Sequence, residues 1–175
     1  GEIRWILARA QTWFDRVGTQ RSAVRTVGVE QDITQQKHIE AALRASQQHF
    51  IALADSVPVL VWTADAEGHC DYLNRRWYEY TGQNPESASG FGWIDAVHPD
   101  DRRSTERQWE RCIHTGTALE AEYRLRRQDG TWRWFSVRAT AQRDASGQIE
   151  RWFGSSSDVD EIRRLVIASE QTTRR

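Results

Sequence analysis

The sequence predicts an α+β protein built around one antiparallel β-sheet, and three patterns support this class. Two short β-rich segments lie between residues 59 and 73, helical stretches follow, and three longer β-rich segments fill residues 118–156. The last two of these segments are repeated near the start of the chain. Between the two copies, residues 35–54 contain neither proline nor glycine, which is typical of a helix.

The internal repeat defines how the chain is organised. Residues 1–10 read GEIRWILARA and residues 130–139 read GTWRWFSVRA, so glycine, arginine, tryptophan, arginine and alanine recur at equal spacing. A second pair of blocks, 24–34 and 149–159, shares a glycine and an aspartate. These residues are Gly28 and Asp32 in the first copy, and Gly154 and Asp158 in the second. Each copy is typical of two β-strands joined by a turn.

The first copy is interpreted as a β-hairpin over residues 1–34. Its predicted strands cover residues 3–14 and 24–31, and the loop 15–23 between them is longer than its counterpart in the second copy. The second copy ends a longer domain, whereas the first copy has no such domain before it. Residues 1–34 are therefore expected to be the last hairpin of a truncated preceding domain. Because an isolated hairpin is marginally stable in water, it should pack against another surface or be poorly ordered.

A linker helix is predicted over residues 35–54. Apolar residues recur along it at alternating spacings of four and three, with one polar interruption. Two interpretations fit: the seam of a dimeric coiled coil shorter than three heptads, or one amphipathic helix packed on its own domain. Asp32 or Thr34 is expected to cap its first turn, and Val57-Pro58 ends it. The seam comprises Ile39, Leu43, Ser46, Phe50, Leu53 and Val57.

A complete domain is expected over residues 48–160, followed by an exit helix at 161–175. The long helix should begin at Pro99, with acidic residues in its first turn, and end at Gly116. Residues 82–98 are rich in glycine and proline and are expected to be a loop. The predicted strands are 59–64, 69–73, 118–127, 131–143 and 148–156, and a short helix is predicted at 74–81.

The order of several short motifs in residues 48–160 resembles a PAS domain with its C-terminal PAC motif. These motifs are Tyr72-Leu73-Asn74, Tyr80-Thr81-Gly82, Trp93 through Asp101, Tyr123-Arg124 and Arg127 through Trp134. Residues 27–50 resemble the end of another PAS module and the linker that joins tandem modules. The resemblance implies a PAS fold, in which a five-stranded antiparallel sheet carries helices on one face, often with a cavity between.

The resemblance also implies a function. The chain would be a PAS sensor and dimerisation module of a bacterial signal-transduction protein such as a sensory-box histidine kinase, with the output domain in the same parent chain. It would relay a change induced by a ligand or partner through its flanking helices. Two alternatives stay open: a ligand-free dimerisation and spacer module, and the sensor segment of a diguanylate cyclase or phosphodiesterase.

Asp32, Thr34 and Asp158 are the residues expected to relay the signal. The family usually carries Asp-Ile-Thr where the sheet leads into the exit helix, as Asp32-Ile33-Thr34 does, whereas the second copy reads Asp158-Val159-Asp160. The aspartate is expected to accept hydrogen bonds from the neighbouring strand or to cap the helix. The missing threonine hydroxyl is expected to alter how the exit helix is held.

Five aromatic residues are candidates for a ligand pocket. They lie on elements that face the cavity of the family, and the chain has nine tryptophans to line or fill it. A small organic ligand is one interpretation, and filling of the cavity by the aromatic rings themselves is the other, since packing is the usual role of apolar aromatics. The candidates are Trp62, Trp93, Trp109, Tyr123 and Trp134.

No cofactor is predicted. Flavin is disfavoured because the segment 83–93, where light-sensing PAS modules carry a reactive cysteine, has none. Haem is disfavoured because His114 is near the C-terminal end of the long helix, while Thr105 occupies the position expected for the ligand. His114 and His98 are instead expected at the two ends of that helix. No metal-site spacing occurs.

The remaining features exclude other function classes. The sequence carries 24 basic and 25 acidic residues, so no broad field attracts nucleic acid or an acidic membrane. No apolar run is long enough to cross a bilayer, and Cys70 and Cys112 are expected to be reduced thiols. The segment is therefore expected to be cytoplasmic and without direct membrane contact, although its parent protein could be membrane-anchored. No catalytic residues are predicted, and His38 lacks the flanking motif of a phosphoacceptor.

Overall fold

The computed structural model describes residues 3–173, so residues 1, 2, 174 and 175 of the predicted hairpin and exit helix lie outside the described residues. The chain divides into two compact units between Phe50 and Ile51. Helix α1, Thr34–Ser56, runs across this boundary.

The first unit is a two-stranded antiparallel hairpin that leads into α1. Strand β1 is Ile6–Val17 and strand β2 is Gln20–Asp32, so the loop predicted at 15–23 is wrong. The strands continue almost to the tip because Gly18 adopts a φ of 68°, a conformation that lets two residues close a hairpin. The residues that lengthen this copy are thus part of the paired strands.

The second unit contains a five-stranded antiparallel sheet with the strand order β4-β3-β7-β6-β5. The helices between its second and third strands in sequence pack on one face of the sheet and complete the core. The strands are β3, Leu60–Asp65; β4, Cys70–Leu73; β5, Leu119–Arg126; β6, Trp132–Arg143; and β7, Ile149–Asp158. The helices are α2, Arg75–Thr81; α3, Pro85–Ala88; α4, Pro99–Thr115; and α5, Asp160–Thr173.

The predicted loop at 82–98 contains two short helices, which is a correction to the sequence analysis. Helix α3 is one turn long and begins with a capping box, in which Asn84 and Ser87 bond reciprocally. A 3₁₀ helix follows at Gly92–Ala96. Both helices bury an alanine, Ala88 and Ala96, in the core, and that burial compensates for their short length.

The ends of α4 agree with the prediction. His98 precedes Pro99, and its Nδ1 accepts a hydrogen bond from the Asp100 backbone N–H at 3.2 Å. At the other end, Gly116 has a φ of 70° and its N–H bonds to the Cys112 carbonyl, as in an αL cap. Pro at the first position and Gly after the last therefore limit this helix as the sequence indicates.

A buried asparagine joins the end of α1 to the sheet. The side-chain amide of Asn74 donates to the Ala54 carbonyl at 2.9 Å and to the Val59 carbonyl at 3.1 Å. Asn74 is fully buried, so these bonds satisfy backbone groups that water does not reach. The five-stranded antiparallel sheet with helices on one face confirms the predicted fold class.

Candidate functional site

A small cavity lies between the inner face of the sheet and α4. Its volume is about 30 Å³. Trp62 on β3 meets Trp109 on α4 edge to face at 5.5 Å between ring centroids, and Trp109 meets Trp152 on β7 in the same way at 5.1 Å. The Trp109 indole N–H donates to the Gly68 carbonyl at 3.1 Å. The packed rings of Trp62, Trp109 and Trp152 leave only this small space between the sheet and α4.

Four of the five predicted pocket residues contribute to this cavity: Trp62, Trp93, Trp109 and Tyr123. Trp134 does not, which corrects its predicted placement. Its neighbours Phe135 and Val137 alternate inward with Ala139 along β6 and are buried, so Trp134 points to the opposite face of the sheet. The sequence is ambiguous here because two aromatic residues are adjacent in β6.

Sequence reasoning missed other residues of the cavity wall. Trp77 on α2, Leu119 on β5 and Cys70 on β4 also line it. Burial raises the pKa of the Cys70 thiol to about 12, which keeps it protonated and unreactive. The signal that could have identified Trp77 is its position three residues after Asn74, on the inward side of a short helix.

Thr105 lies on α4 at the position where, by the family resemblance, a haem-binding PAS domain would carry its histidine ligand. Its side chain lines the cavity and is buried. His114 lies two turns further along the helix and is exposed, and its Nδ1 is 2.7 Å from the Glu110 carbonyl. A hydroxyl in place of an imidazole offers no axial ligand of the kind that holds haem iron.

The exit from the sheet into α5 is held by Asp158. Its carboxylate accepts from Arg133 Nε at 2.6 Å and from an Arg133 terminal nitrogen at 3.2 Å. It also accepts from the Asp160 backbone N–H at 3.0 Å. One carboxylate therefore joins strand β6, the end of β7 and the first turn of α5, as expected for a charge-assisted bidentate pair.

The hairpin of the first unit enters α1 through the same arrangement. The Asp32 carboxylate accepts from the Thr34 N–H at 2.9 Å, and it lies 3.5 Å from Arg4. The Thr34 hydroxyl accepts from the Trp5 N–H at 2.8 Å. The residue that follows each aspartate also bonds to a tryptophan carbonyl. The Ile33 N–H donates to the Trp5 carbonyl, and the Val159 N–H donates to the Trp134 carbonyl, both at 2.9 Å. The internal repeat is thus a repeat of hydrogen bonds.

The aspartate that replaces threonine in the second copy performs the hydroxyl's role. Asp160 is buried, and its Oδ1 accepts from the Trp134 N–H at 3.3 Å. Its other oxygen pairs with Arg164 at 2.8 Å. The exit helix is therefore held differently at this position, because the carboxylate keeps the backbone bond and adds an ion pair within α5.

A second set of contacts ties α5 to the outer face of the sheet. The Arg163 guanidinium lies 4.2 Å from the centre of the Trp134 ring, and Arg124 lies 5.2 Å from it. Arg163 also forms an ion pair with Glu122 on β5. Cation–π contacts of this kind contribute about 0.5–1 kcal/mol at exposed sites, so the stack adds to the Asp158 junction.

Arg124 connects this stack to the start of α4. It forms a bidentate pair with Asp101, at 2.9 and 2.8 Å, and Asp101 also accepts from the Arg124 backbone N–H. Hydrogen bonding from Arg124 lowers the pKa of the Asp101 carboxyl. A continuous series of contacts therefore runs from α4, whose Trp109 lines the cavity, to α5.

The predicted linker seam is exposed. Ile39 and Leu43 are each 60% exposed and Leu53 is 55% exposed, and Ser46 is exposed as well. Helix α5 carries a similar exposed apolar group: Ile162, Leu165, Val166 and Ile167. His38 is exposed on α1, as expected of a solvated residue.

Two further observations concern site types that the sequence analysis excluded. Asp65, Glu67 and His69 bring three metal-binding atoms within 4.8 Å of one another, but this turn is solvent-exposed and His69 bonds to Asp65 through both its backbone and its ring. Across the described range 3–173, no helix is long and apolar enough to span a membrane.

Comparison with known proteins agrees with this geometry. Residues 71–156 match a family model described as PAS fold. An uncharacterized protein, y4lL of Sinorhizobium fredii, is 35% identical over all 175 residues, which cover 21% of its length. The peroxide stress-activated histidine kinase mak1 of Schizosaccharomyces pombe is 33% identical over 108 residues, or 61% of this chain and 6% of the kinase. The chain thus spans only a small part of these relatives.

Solved structures of the same shape extend this result. The N-terminal domain of a diguanylate cyclase with PAS/PAC sensor from Marinobacter aquaeolei has a TM-score of 0.54 at 21% identity, covering 60% of this chain and 98% of that one. The blue-light photoreceptor Aureochrome1 LOV has a TM-score of 0.52 at 24% identity, covering 65% of this chain and 91% of that one. The second unit of this chain therefore has the PAS fold, and residues 71–156 carry the match to the PAS family.

Proposed function

We propose that the second unit is a PAS signalling domain that relays changes in its sheet to the exit helix α5. The observation that carries this proposal is the Asp158 junction, where one carboxylate holds β6, β7 and the first turn of α5. Loss of that carboxylate's pairing would release α5 without unfolding the sheet. Allosteric coupling of about 1–3 kcal/mol is typical, and a few charged hydrogen bonds supply that amount.

The parent protein is proposed to be a bacterial sensor histidine kinase, or a diguanylate cyclase or phosphodiesterase, that contains this segment upstream of its output domain. The matches to a histidine kinase and to the sensor domain of a cyclase support this assignment. The segment itself is proposed to be non-catalytic and cytoplasmic, with the output domain in the same chain as its partner. The burial that raises the pKa of Cys70 argues against a nucleophilic role for that thiol.

The first unit is proposed to be the exit of a preceding PAS domain in a tandem. Its strand register supports this, since Ile6 pairs with Asp32 as Phe135 pairs with Asp158. Ala10 likewise faces Gly28, as Ala139 faces Gly154. Two modules that end in the same way would pass a change through α1 and then through α5.

The cavity between the sheet and α4 is proposed to hold no flavin or haem. Pockets for organic cofactors usually measure about 300–1,000 Å³, whereas this cavity is about 30 Å³. That space accommodates roughly one or two water molecules. The likeness to LOV photoreceptors concerns the fold, and the segment from Gln83 to Trp93 lacks a cysteine. In this interpretation, the Trp62 and Trp109 rings fill the core between the sheet and α4 instead of contacting a ligand.

A homodimer is proposed through the exposed seam of α1, because apolar side chains at heptad spacing favour helix pairing. Leu43→Glu should shift the chain from dimer to monomer in analytical ultracentrifugation. Gln47→Glu, which adds the same charge to an exposed position one turn along the helix, is the matched control. A monomeric wild-type chain at micromolar concentration, or equal effects of both variants, would contradict the proposal.

The relay proposal is tested in the parent protein by Asp158→Asn. This variant should alter how the activity of the output domain, as phosphorylation or nucleotide synthesis, responds to conditions that change it in wild type. Asp144→Asn, which alters an exposed aspartate in the β6–β7 turn, should leave the response unchanged. An unchanged response in Asp158→Asn would count against the relay and favour a passive spacer module.

A further inference from the structure

A second cleft lies next to the Asp158 junction and is separate from the aromatic cavity. It is about 290 Å³ in volume, roughly tenfold larger than the cavity beside α4, and it opens between α2 and the end of β7. Its inner wall comes from Leu60, Phe135 and Ser156, on three strands of the sheet. A volume of this size approaches the range of small-molecule sites.

The cleft combines charges of both signs with an apolar wall. Arg76 on α2 and Arg127 after β5 contribute positive charge, while Glu79 and Asp158 contribute negative charge. Both acids already have partners: Glu79 lies 3.2 Å from Arg75, and Asp158 is paired with Arg133.

The two arginines of the cleft are less engaged. Arg127 lies 3.7 Å from Asp129, at the outer limit of an ion pair. Arg76 and Arg127 are both exposed, so their guanidinium groups can reorient toward an anion. The charge balance of the cleft therefore favours a ligand with a carboxylate, since arginine recognises carboxylates through two parallel hydrogen bonds.

Tyr80 provides a polar group inside the cleft. Its ring packs edge to face on Phe135 at 5.1 Å between centroids, and its backbone carbonyl accepts from the Gln128 N–H at 2.7 Å. Its hydroxyl is buried and makes no hydrogen bond to any residue within 3–173. Burial, with a further contribution from the charge of Asp158, raises the Tyr80 pKa to about 12. A buried hydroxyl without a partner is costly, so a ligand group that reached it through a small shift of the cleft wall would gain a hydrogen bond.

We propose that this cleft binds a small zwitterion of the α-amino-acid class. The carboxylate would pair with Arg76 and Arg127, and a small aliphatic side chain would rest on Leu60 and Phe135. The ammonium group would face the two acidic side chains, Glu79 and Asp158. The Tyr80 hydroxyl would bond to one of the ligand's polar groups. Mixed charge around an apolar wall is the arrangement that a zwitterion matches and that an uncharged apolar molecule does not.

The position of the cleft gives it a regulatory consequence. Asp158 lines the cleft and also holds the first turn of α5, so an ammonium group bound beside it would compete with Arg133 for the carboxylate. Binding would then shift the docking of α5. This consequence rests on the proposed relay, whereas binding itself does not.

The test is calorimetric titration of the whole 175-residue chain with the aliphatic L-amino acids from alanine to leucine. At least one should bind saturably, and the 2-hydroxy acid of the same carbon skeleton should bind at least tenfold more weakly. Arg76→Gln and Arg127→Gln should each raise Kd roughly ten- to hundredfold, as loss of a charged hydrogen bond does. Arg107→Gln, an exposed arginine on α4 outside the cleft, should leave Kd unchanged.

The outcomes separate binding from relay. No saturable binding at millimolar amino acid, or equal effects of the three arginine variants, would overturn the site. Equal binding of the hydroxy acid would overturn the zwitterion assignment. Tyr80→Phe keeps the ring contact with Phe135, and unchanged affinity in that folded variant would remove the hydroxyl from the site. The relay is measured without ligand, through α5 in Asp158→Asn, so either idea can fail alone.

Discussion

Replacing Asp158 with asparagine tests the junction at the smallest possible structural change. The side chain keeps its shape, and its amide oxygen can still accept from the Asp160 N–H that now bonds at 3.0 Å. What is lost is the charge that pairs with Arg133 at 2.6 Å. The substitution therefore removes the ion pair with Arg133 and keeps the hydrogen bond that caps α5.

The expected magnitude follows from the geometry and exposure of the pair. Hydrogen bonds to charged groups contribute about 1.5–3 kcal/mol, whereas exposed ion pairs contribute about 0–1 kcal/mol. The side chains of Arg133 and Asp158 are 31% and 33% exposed, so solvent screens part of the interaction. We expect α5 docking to weaken by about 1–2 kcal/mol, which corresponds to roughly a 5- to 30-fold change in the docking equilibrium.

Amide hydrogen exchange followed by NMR measures this equilibrium directly. Exchange of the α5 amides should accelerate roughly 5- to 30-fold, while amides in β3 and β6 should change less than twofold. Asp32→Asn is the matched control, since it alters the equivalent cap at the start of α1 and should accelerate exchange there. If α5 amides exchanged no faster than in wild type, or accelerated only as much as sheet amides, the Arg133–Asp158 pair would not hold α5 on the sheet.

Two further predictions concern packing in the core and the loss of folding stability at acidic pH. Gly154→Ala should destabilise the sheet by about 1–3 kcal/mol in urea denaturation, because a Cβ there would lie 2.2 Å from Trp62. Gly28→Ala should have a smaller effect, since its nearest contact is 3.3 Å, and equal effects would contradict this explanation. Because Arg124 lowers the pKa of Asp101 in the folded state, the pair stabilises the fold above the unfolded carboxyl's pKa, near 4, and that stability disappears as pH falls through the folded value. The urea midpoint, measured down to pH 3, should therefore fall less steeply with decreasing pH in Asp101→Asn than in wild type. If the two proteins lost stability in parallel, the Asp101–Arg124 pair would not be a source of the acid sensitivity.

The sequence predicted the elements that strong local signals define. Pro99 and Gly116 mark the ends of α4, and the repeated glycine and aspartate mark both exits from the strands. These signals operate within a few residues, so they do not require knowledge of the tertiary fold. The family resemblance then supplied the single five-stranded antiparallel sheet with helices on one face, which local patterns alone do not determine.

The sequence-based predictions were wrong where contacts between distant parts of the chain determine the local structure. The short helices at 85–96 form because Ala88 and Ala96 reach the core, and no periodicity is visible in so few residues. The side of the sheet on which Trp134 lies depends on strand parity, which adjacent aromatic residues leave ambiguous. The cleft at Tyr80 combines residues from α2, β6 and β7, and only the folded chain brings them together.

The central claim is that α5 exchanges between docked and undocked positions that the Asp158 junction controls. Backbone NMR spectra of wild type, Arg133→Gln, Asp158→Asn and Arg163→Gln test it most directly. Each α5 amide should move along one line in chemical shift across the four proteins, while most sheet amides stay in place, because all variants shift one equilibrium. Shifts that scatter in different directions, or an α5 that responds to none of the variants, would contradict the claim.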